Sequence, residues 1–365
     1  MNNIYVALVT VLLTIGLIML LQPLAWKIGL LDKPNVRKKH SGSIPLVGGI
    51  AIFLAMLLAT HFGMWLKGVD NVLQSGAGAF MFAAFILVAV GVWDDLRDLS
   101  PASRLVVQIA AAFVMIYGGD VVITDLGYLG WSGQRVDLGA WSVPFTVFVT
   151  LGVINAINMA DGLDGLVGNL ALVSLVGLGW AMALWGGAKV APMINVLSAA
   201  VIGFLLFNQR VFWRSKAAVF LGDAGSMMLG LALVWATISL SQGENRSITP
   251  AAALWFLMVP VCDTVSVSLR RMRAGRSPFT ADSRHLHHLF MQVGFSVTQT
   301  ITILCGLALL GVAVGLGSVW LQWPEWLVVT LFLLVWVLCS HISASAWNQR
   351  HFLGRDFVED RPVTV

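Results

Sequence analysis

Seven aspartates, Asp94, Asp95, Asp98, Asp161, Asp164, Asp223 and Asp263, stand in or beside uncharged stretches of a chain that is 58% hydrophobic. A charge in lipid-buried sequence costs roughly 2.5–3.5 kcal/mol on insertion scales, so these residues are candidates for chemistry. The run Gly91-Val92-Trp93-Asp94-Asp95-Leu96-Arg97-Asp98 sets two carboxylates side by side. Neighbouring acids repel unless a proton or cation intervenes, and a hard divalent cation such as Mg²⁺ takes oxygen ligands and bridges to phosphate. A solvated loop whose acids stop a helix accounts for an isolated DDxxD string equally well.

Three further motifs carry polar groups of the same kind. Asn155-Ala156-Ile157-Asn158-Met159-Ala160-Asp161-Gly162-Leu163-Asp164-Gly165-Leu166 repeats a polar side chain every third position, so a continuing helix would hold Asn155 and Asn158 on one face. Its plainer reading is a hairpin between helices, with Asp161 as cap and Gly162 as turn residue. In Phe220-Leu221-Gly222-Asp223-Ala224-Gly225-Ser226, Asp223 is set to reach a metal, or simply to meet a helix N-terminus, a stabilisation of about 0.3–1 kcal/mol. Arg284-His285-Leu286-His287-His288, with Arg270, Arg271 and Arg273 nearby, supplies donors for phosphate oxygens; zinc is the weaker option because no second ligand cluster completes a tetrahedral set. Asp263 lies on nearly the same helix face as Arg270, and an internal ion pair or a hydrogen bond to a neighbouring helix explains it without a ligand role.

The elements that must position these groups are membrane helices. Charged residues make up only 11% of the chain, mean hydropathy is +0.85, and uncharged runs long enough to cross a bilayer recur throughout. An all-α, polytopic transmembrane bundle of about eleven spans is expected, near residues 3–25, 44–66, 76–93, 103–118, 142–158, 166–185, 190–207, 217–239, 250–269, 298–318 and 325–346. The first run reads as a retained helix, residues 1–346 as one integral-membrane domain, and residues 347–365 as a short cytoplasmic tail. The longest loop is expected to run from Arg270 to Val297.

Eighteen of the 22 Lys and Arg fall on one set of alternate loops, leaving Lys67, Arg135, Lys189 and Arg246 on the other. Retention of basic loops in the cytoplasm then puts the N-terminus in the periplasm and the C-terminus in the cytoplasm, with the aspartate motifs on the cytoplasmic face. The net charge of +4 is thus polarised toward anionic headgroups and any anionic cytosolic substrate, and nucleic acid is not needed to explain it. Cys262, Cys305 and Cys339 fall inside predicted spans without CxxC spacing, so they read as small buried side chains.

The DDxxD, NxxNxxDGxDGL, FLGDAGS and RHLHH motifs, in this order and on one side of the membrane, resemble those of the polyprenyl-phosphate N-acetylhexosamine-1-phosphate transferases. Leu31-Asp32-Lys33-Pro34-Asn35 and Pro45-Leu46-Val47-Gly48-Gly49 bring the resemblance closest to the bacterial N-acetylglucosamine branch, and it covers most of the chain. The resemblance implies an enzyme of the bacterial inner membrane. In it the phosphate of undecaprenyl phosphate attacks the β-phosphorus of UDP-N-acetylglucosamine and releases UMP, the first membrane step toward O-antigen or enterobacterial common antigen.

It further implies Mg²⁺, with Mn²⁺ as a substitute, and a membrane-lipid partner; a homodimer stays open. By position, Asp94 and Asp95 become the catalytic pair, with Asp94 keeping the lipid phosphate deprotonated. Asn158 and Asp223 become the metal ligands. Asp161 and Asp164 serve the nucleotide sugar, and His285, His287, His288 and Arg271 hold the diphosphate or leaving UMP. The stretch Thr280-Ala281-Asp282-Ser283 follows the family pattern less faithfully than the histidines. Another UDP-N-acetyl sugar or UDP-MurNAc-pentapeptide remains an alternative donor. A transporter or flippase is the alternative from another class, but it would bind at mid-membrane with broken helices in each half, whereas these acids gather at one interface.

Overall fold

The computed structural model describes residues 2–32, 42–67, 76–130, 133–187, 190–210, 214–277 and 285–352. Its elements in chain order are α1 (Asn2–Ile28), β1 (Leu31–Asp32), β2 (Ile44–Pro45), α2 (Gly48–Lys67), α3 (Ala77–Arg97), α4 (Pro101–Phe113) and α5 (Ser142–Ala160). There follow α6 (Leu166–Trp185), α7 (Ala191–Asn208), α8 (Gly222–Ser241), α9 (Pro250–Phe256), α10 (Met258–Arg273), α11 (Leu286–Val293), α12 (Val297–Trp320) and α13 (Glu325–Phe352). A π-helical turn, Val114–Gly118, continues α4. The two short strands pair antiparallel, Leu31 opposite Pro45. The rest of the LDKPN motif, Lys33 to Asn35, lies outside the described residues.

Every predicted span centre falls on a helix. Among the described residues nine helices are long and apolar enough to cross a membrane, or ten if a bent pair counts as one, and the apolar part of α2, Gly48–Gly63, is shorter. The ninth span expected over 250–269 is broken: α9 and α10 meet at Leu257 with a bend of 85°. Pro260, in the first turn of α10, has no N–H with which to carry the α9 ladder across the break. The expected long loop from Arg270 is corrected as well, because α10 runs to Arg273 and α11 forms within the remainder.

α8 sits at the centre, 94% buried in its apolar window, whereas α1 and α13 are mostly open to the surroundings. A helix apolar on all sides is stable only where neighbours or lipid cover every face, and here α2, α3 and α5 cover α8. They come close because glycine faces backbone at each crossing. A Cβ on Gly49 would lie 2.2 Å from Gly225 N, one on Gly91 2.3 Å from Ala224 Cα, and one on Gly230 2.6 Å from Ile154 Cα. The PLVGG segment also bonds to the FLGD segment through its backbone: Phe220 N–H donates to Pro45 O, and Gly48 and Gly49 N–H donate to Phe220 and Leu221 O. These contacts hold the start of α8 where its polar residues are needed.

At the other end of α8, Arg246 joins two buried acids, 3.4 Å from Asp125 and 3.0 Å from Glu325. Arg135 approaches Asp125 at 2.6 Å, and Gln242 Oε1 accepts from the Thr124 and Asp125 N–H groups. Two of the four basic residues outside the main basic loops are therefore paired at the end of the bundle away from the aspartate motifs.

Candidate active site

Asp94 and Asp95 are neighbours in sequence but diverge in space, because successive helical residues point about 100° apart. α3 ends at Asp98, which takes a left-handed φ of 54°, and α4 starts directly after with Ser100 as N-cap and Pro101 in the first turn. This short connection folds Arg104 back onto α3. Asp94 Oδ2 accepts from Arg104 at 3.0 Å and Oδ1 accepts from Leu99 N–H at 2.7 Å, with the Asp94 side chain only 1% exposed. Asp95 turns the other way. Its Oδ1 accepts from Asp223 N–H at 3.1 Å, taking one of the amides that a helix start leaves without an intrahelical acceptor, while its Oδ2 is buried with no hydrogen-bond partner.

α8 and α5 complete this cluster. Asp223 Oδ1 accepts from Asn158 Nδ2 at 2.6 Å, and the same amide donates to Ser226 Oγ at 2.8 Å. Arg104 reaches Asp223 Oδ2 at 3.7 Å, so one guanidinium lies between Asp94 and Asp223. Asn155, one turn before Asn158, donates to Gln108 Oε1 and orients α5 against α4 rather than entering the cluster. Sequence reasoning missed Arg104 and Ser226. In the sequence Arg104 bears only on loop orientation, and Ser226 stands within the FLGDAGS motif with no role of its own. The signal for Ser226 was its position three residues after Asp223, on the same helix face.

The second group begins where α5 ends. Asp161 N–H bonds back to Asn158 O, and the chain turns through Gly165, whose φ of 86° suits glycine. Asp161 is exposed. Asp164 accepts from Arg210 Nε at 2.8 Å and from Ala217 N–H at 3.2 Å, so it braces this turn against the segment leading to α8. His287 lies directly on the turn: a Cβ on Gly162 would be 2.3 Å from His287 Nε2. His285 stacks on His287 with ring centroids 5.8 Å apart, and His288 lies 4.1 Å from His287. Arg271 is buried on α10. All ten predicted site residues thus fall in the described part of the chain; apart from Arg271 they form two groups joined by the five residues from Asn158 to Gly162.

Burial, reinforced by His288 and then His285, holds the His287 pKa well below its ordinary 6.5. His287 is therefore neutral at pH 7, and its approach to a ligand is through a neutral ring. The unfolded chain takes up a proton near pH 6.5 that folded His287 refuses, so below that pH the unfolded state binds more protons and stability falls as pH is lowered. We expect thermal unfolding in detergent to show this loss between pH 7 and 5.5, at most about 1.4 kcal/mol per pH unit from this group, and His287→Gln to flatten it. An unchanged slope in the variant would assign the acid sensitivity elsewhere.

For the divalent cation implied by the resemblance, the donor set consists of hard oxygens. Among the described residues no three His, Cys, Asp or Glu side chains form a ready metal cage. Mg²⁺ is commonly held by one or two carboxylates, waters and substrate phosphates, so the Asp223 carboxylate and the buried Asp95 Oδ2 fit it, while Asn158, whose Nδ2 faces Asp223 here, would turn its amide to present the oxygen.

Residues 77–241, which include the acidic cluster, match the glycosyl transferase family 4. The undecaprenyl-phosphate alpha-N-acetylglucosaminyl 1-phosphate transferase of Escherichia coli (strain K12) is 35% identical over 334 residues, 91% of this chain and 88% of that protein. The enzyme of the same name from Salmonella typhi is 35% identical over 94% of this chain and 92% of its own length. That from Haemophilus influenzae is 33% identical over 97% of each. With the four motifs gathered at one end of a polytopic helix bundle and this similarity running nearly end to end, the chain belongs to glycosyl transferase family 4, among the membrane 1-phosphate transferases.

Proposed function

We propose that this enzyme transfers N-acetylglucosamine 1-phosphate from UDP-N-acetylglucosamine to undecaprenyl phosphate and releases UMP. The observation that carries the reading is the cluster of Asp94, Asp95, Asp223, Asn158 and Arg104 at one end of the bundle, joined through Asp161 and Gly162 to the histidine segment. Positioning and charge neutralisation carry most phosphoryl-transfer catalysis, and these groups supply both. Arg104 and Asp94 receive the lipid phosphate, with Asp94 keeping it deprotonated. A phosphate oxygen then forms the new bond to the donor's β-phosphorus, and the bond from that phosphorus to the α–β bridging oxygen breaks, leaving with UMP. Asp161, Arg271 and the histidines orient the nucleotide diphosphate, and Asp164 keeps their turn in place. Asp223 and Asn158 would hold Mg²⁺, which would supply neutralisation of diphosphate charge.

The polarised Lys and Arg support an active site on the cytoplasmic face of the bacterial inner membrane, where a soluble nucleotide sugar and a lipid headgroup meet. Production of lipid-linked sugar there would start O-antigen-type polysaccharide. The test is UMP release by detergent-purified protein. Release that requires UDP-N-acetylglucosamine, undecaprenyl phosphate and Mg²⁺ together is expected. Release only with another UDP-sugar would keep the chemistry and replace the donor, and silence with every UDP-sugar would end the transferase reading.

A further inference from the structure

We propose that Asp263 is a positioning residue for the nucleotide side of the site, setting the orientation of His285 and, through it, the histidine segment over the Asp161–Gly165 turn. The inference rests on the transferase reading above. Asp263, on α10, and His285, the N-cap residue of α11, are 22 positions apart in sequence, yet both carboxylate oxygens are directed to the histidine segment. Oδ2 lies 2.8 Å from His285 Nδ1, and Oδ1 accepts from Leu286 N–H at 3.0 Å. Leu286 begins α11, so Asp263 satisfies one of the amides that the start of this helix leaves without an acceptor. Asp263 is 8% exposed and His285 3%, so water does not compete for the contact.

The geometry also constrains the ring. An ionised carboxylate only accepts, so the proton facing Asp263 sits on Nδ1 and Nε2 is the nitrogen directed away from it. The His285 ring then lies nearly parallel to that of His287, at 10°, and His287 rests on Gly162. A chain of packed groups therefore runs from α10 through two histidines to the turn that carries Asp161 and Asp164. The 85° bend between α9 and α10 gives α10, and with it Asp263, a direction that a straight span would not take.

Asp263→Asn tests this directly. Its amide oxygen can still accept from Leu286, but its NH₂ opposes a protonated Nδ1 and drives the proton to Nε2, which reverses the ring's donor and acceptor. Steady-state UMP release is measured for Asp263→Asn, His285→Gln and the double variant, with KM determined separately for UDP-N-acetylglucosamine and undecaprenyl phosphate. Supporting groups of this kind typically change affinity or activity by about 10–100-fold. We expect kcat/KM for the nucleotide sugar to fall by that range, KM for the lipid to stay within about twofold, and the double variant to be no worse than the poorer single. Multiplicative losses in the double variant, or an unchanged KM for the nucleotide sugar, would overturn the proposal. Should Asp263→Asn fail to fold, Asp263→Glu, which keeps the charge but moves it by a methylene, is read by the same cycle and the same criteria. Turnover by the unaltered protein separates the two readings: with it, only the positioning role is at stake; without it, both fall.

Discussion

We expect Asp223→Ala to lower lipid-dependent UMP release by about 10²–10³-fold, the loss typical of removing one preorganised group from a transfer site. Asp223 is where three elements meet: its carboxylate touches Asn158 of α5 and lies 3.7 Å from Arg104 of α4, while its backbone N–H is held by Asp95 of α3. The substitution removes the carboxylate and leaves the N–H contact intact, and Asn158 keeps Ser226 as an acceptor. The helix-terminal stabilisation lost is only about 0.3–1 kcal/mol, so the variant should fold and insert normally. Catalysis and stability thus separate in one protein, read as UMP release beside a thermal melt. Residual activity within tenfold of the unaltered enzyme would remove Asp223 from the chemistry.

Arg246→Ala acts at the other end of the same helix, about 30 Å away over the 20 residues of α8. Glu325 and Asp125 are 6% and 1% exposed, and Arg246, itself 20% exposed in its side chain, stands between them. Arg135 still serves Asp125 after the change, but Glu325 loses its arginine partner while remaining buried. Breaking a buried pair from one side destabilises by about 3–5 kcal/mol, so a clear fall in unfolding temperature is expected, with the activity of the folded fraction retained. Arg246→Met combined with Glu325→Gln should recover much of the loss, because neither partner is then left charged. A melt unchanged by Arg246→Ala would mean that the backbone contacts around Glu325 suffice without the arginine.

These two residues show different degrees of legibility. Asp223 could be read from its motif, since an acid at the start of an apolar helix is improbable unless it has a task. Arg246 could be assigned only to the less basic set of loops; that it joins Asp125 and Glu325, 121 and 79 positions away, depends on how two loops and the start of α13 converge. Asp94 and Asp95 illustrate the same point at short range. Adjacency in sequence presented them as a pair, whereas helical geometry sends one to Arg104 and the other to the start of α8.

Helical spacing puts Asp263 on nearly the same face as Arg270, and its contact with His285 is invisible in the sequence because the partner lies beyond the end of the helix and across a change of direction. Nor could Pro260 announce a bend of 85°, since a proline in the first turn of a helix is compatible with a straight continuation or a break, and the neighbouring helices decide between them.

Hydropathy alone indicates an all-α membrane bundle and locates its long helices, because a bilayer demands about 20 apolar residues with internally satisfied backbones wherever a chain crosses it. Motif order alone locates the aspartates, Asn158 and the histidines from which the site is built, but not Arg104, which lies outside every motif. Tertiary structure decided which of them touch: Arg104 between two acids, Asp95 as the acceptor at the start of α8, and Asp263 behind the histidines. Those choices rest on distances of a few ångströms between helices remote in sequence, which glycine contacts such as Gly49 on Gly225 and Gly91 on Ala224 permit. Local periodicity records which face of a helix is apolar, and it carries no information about which neighbour will cover that face.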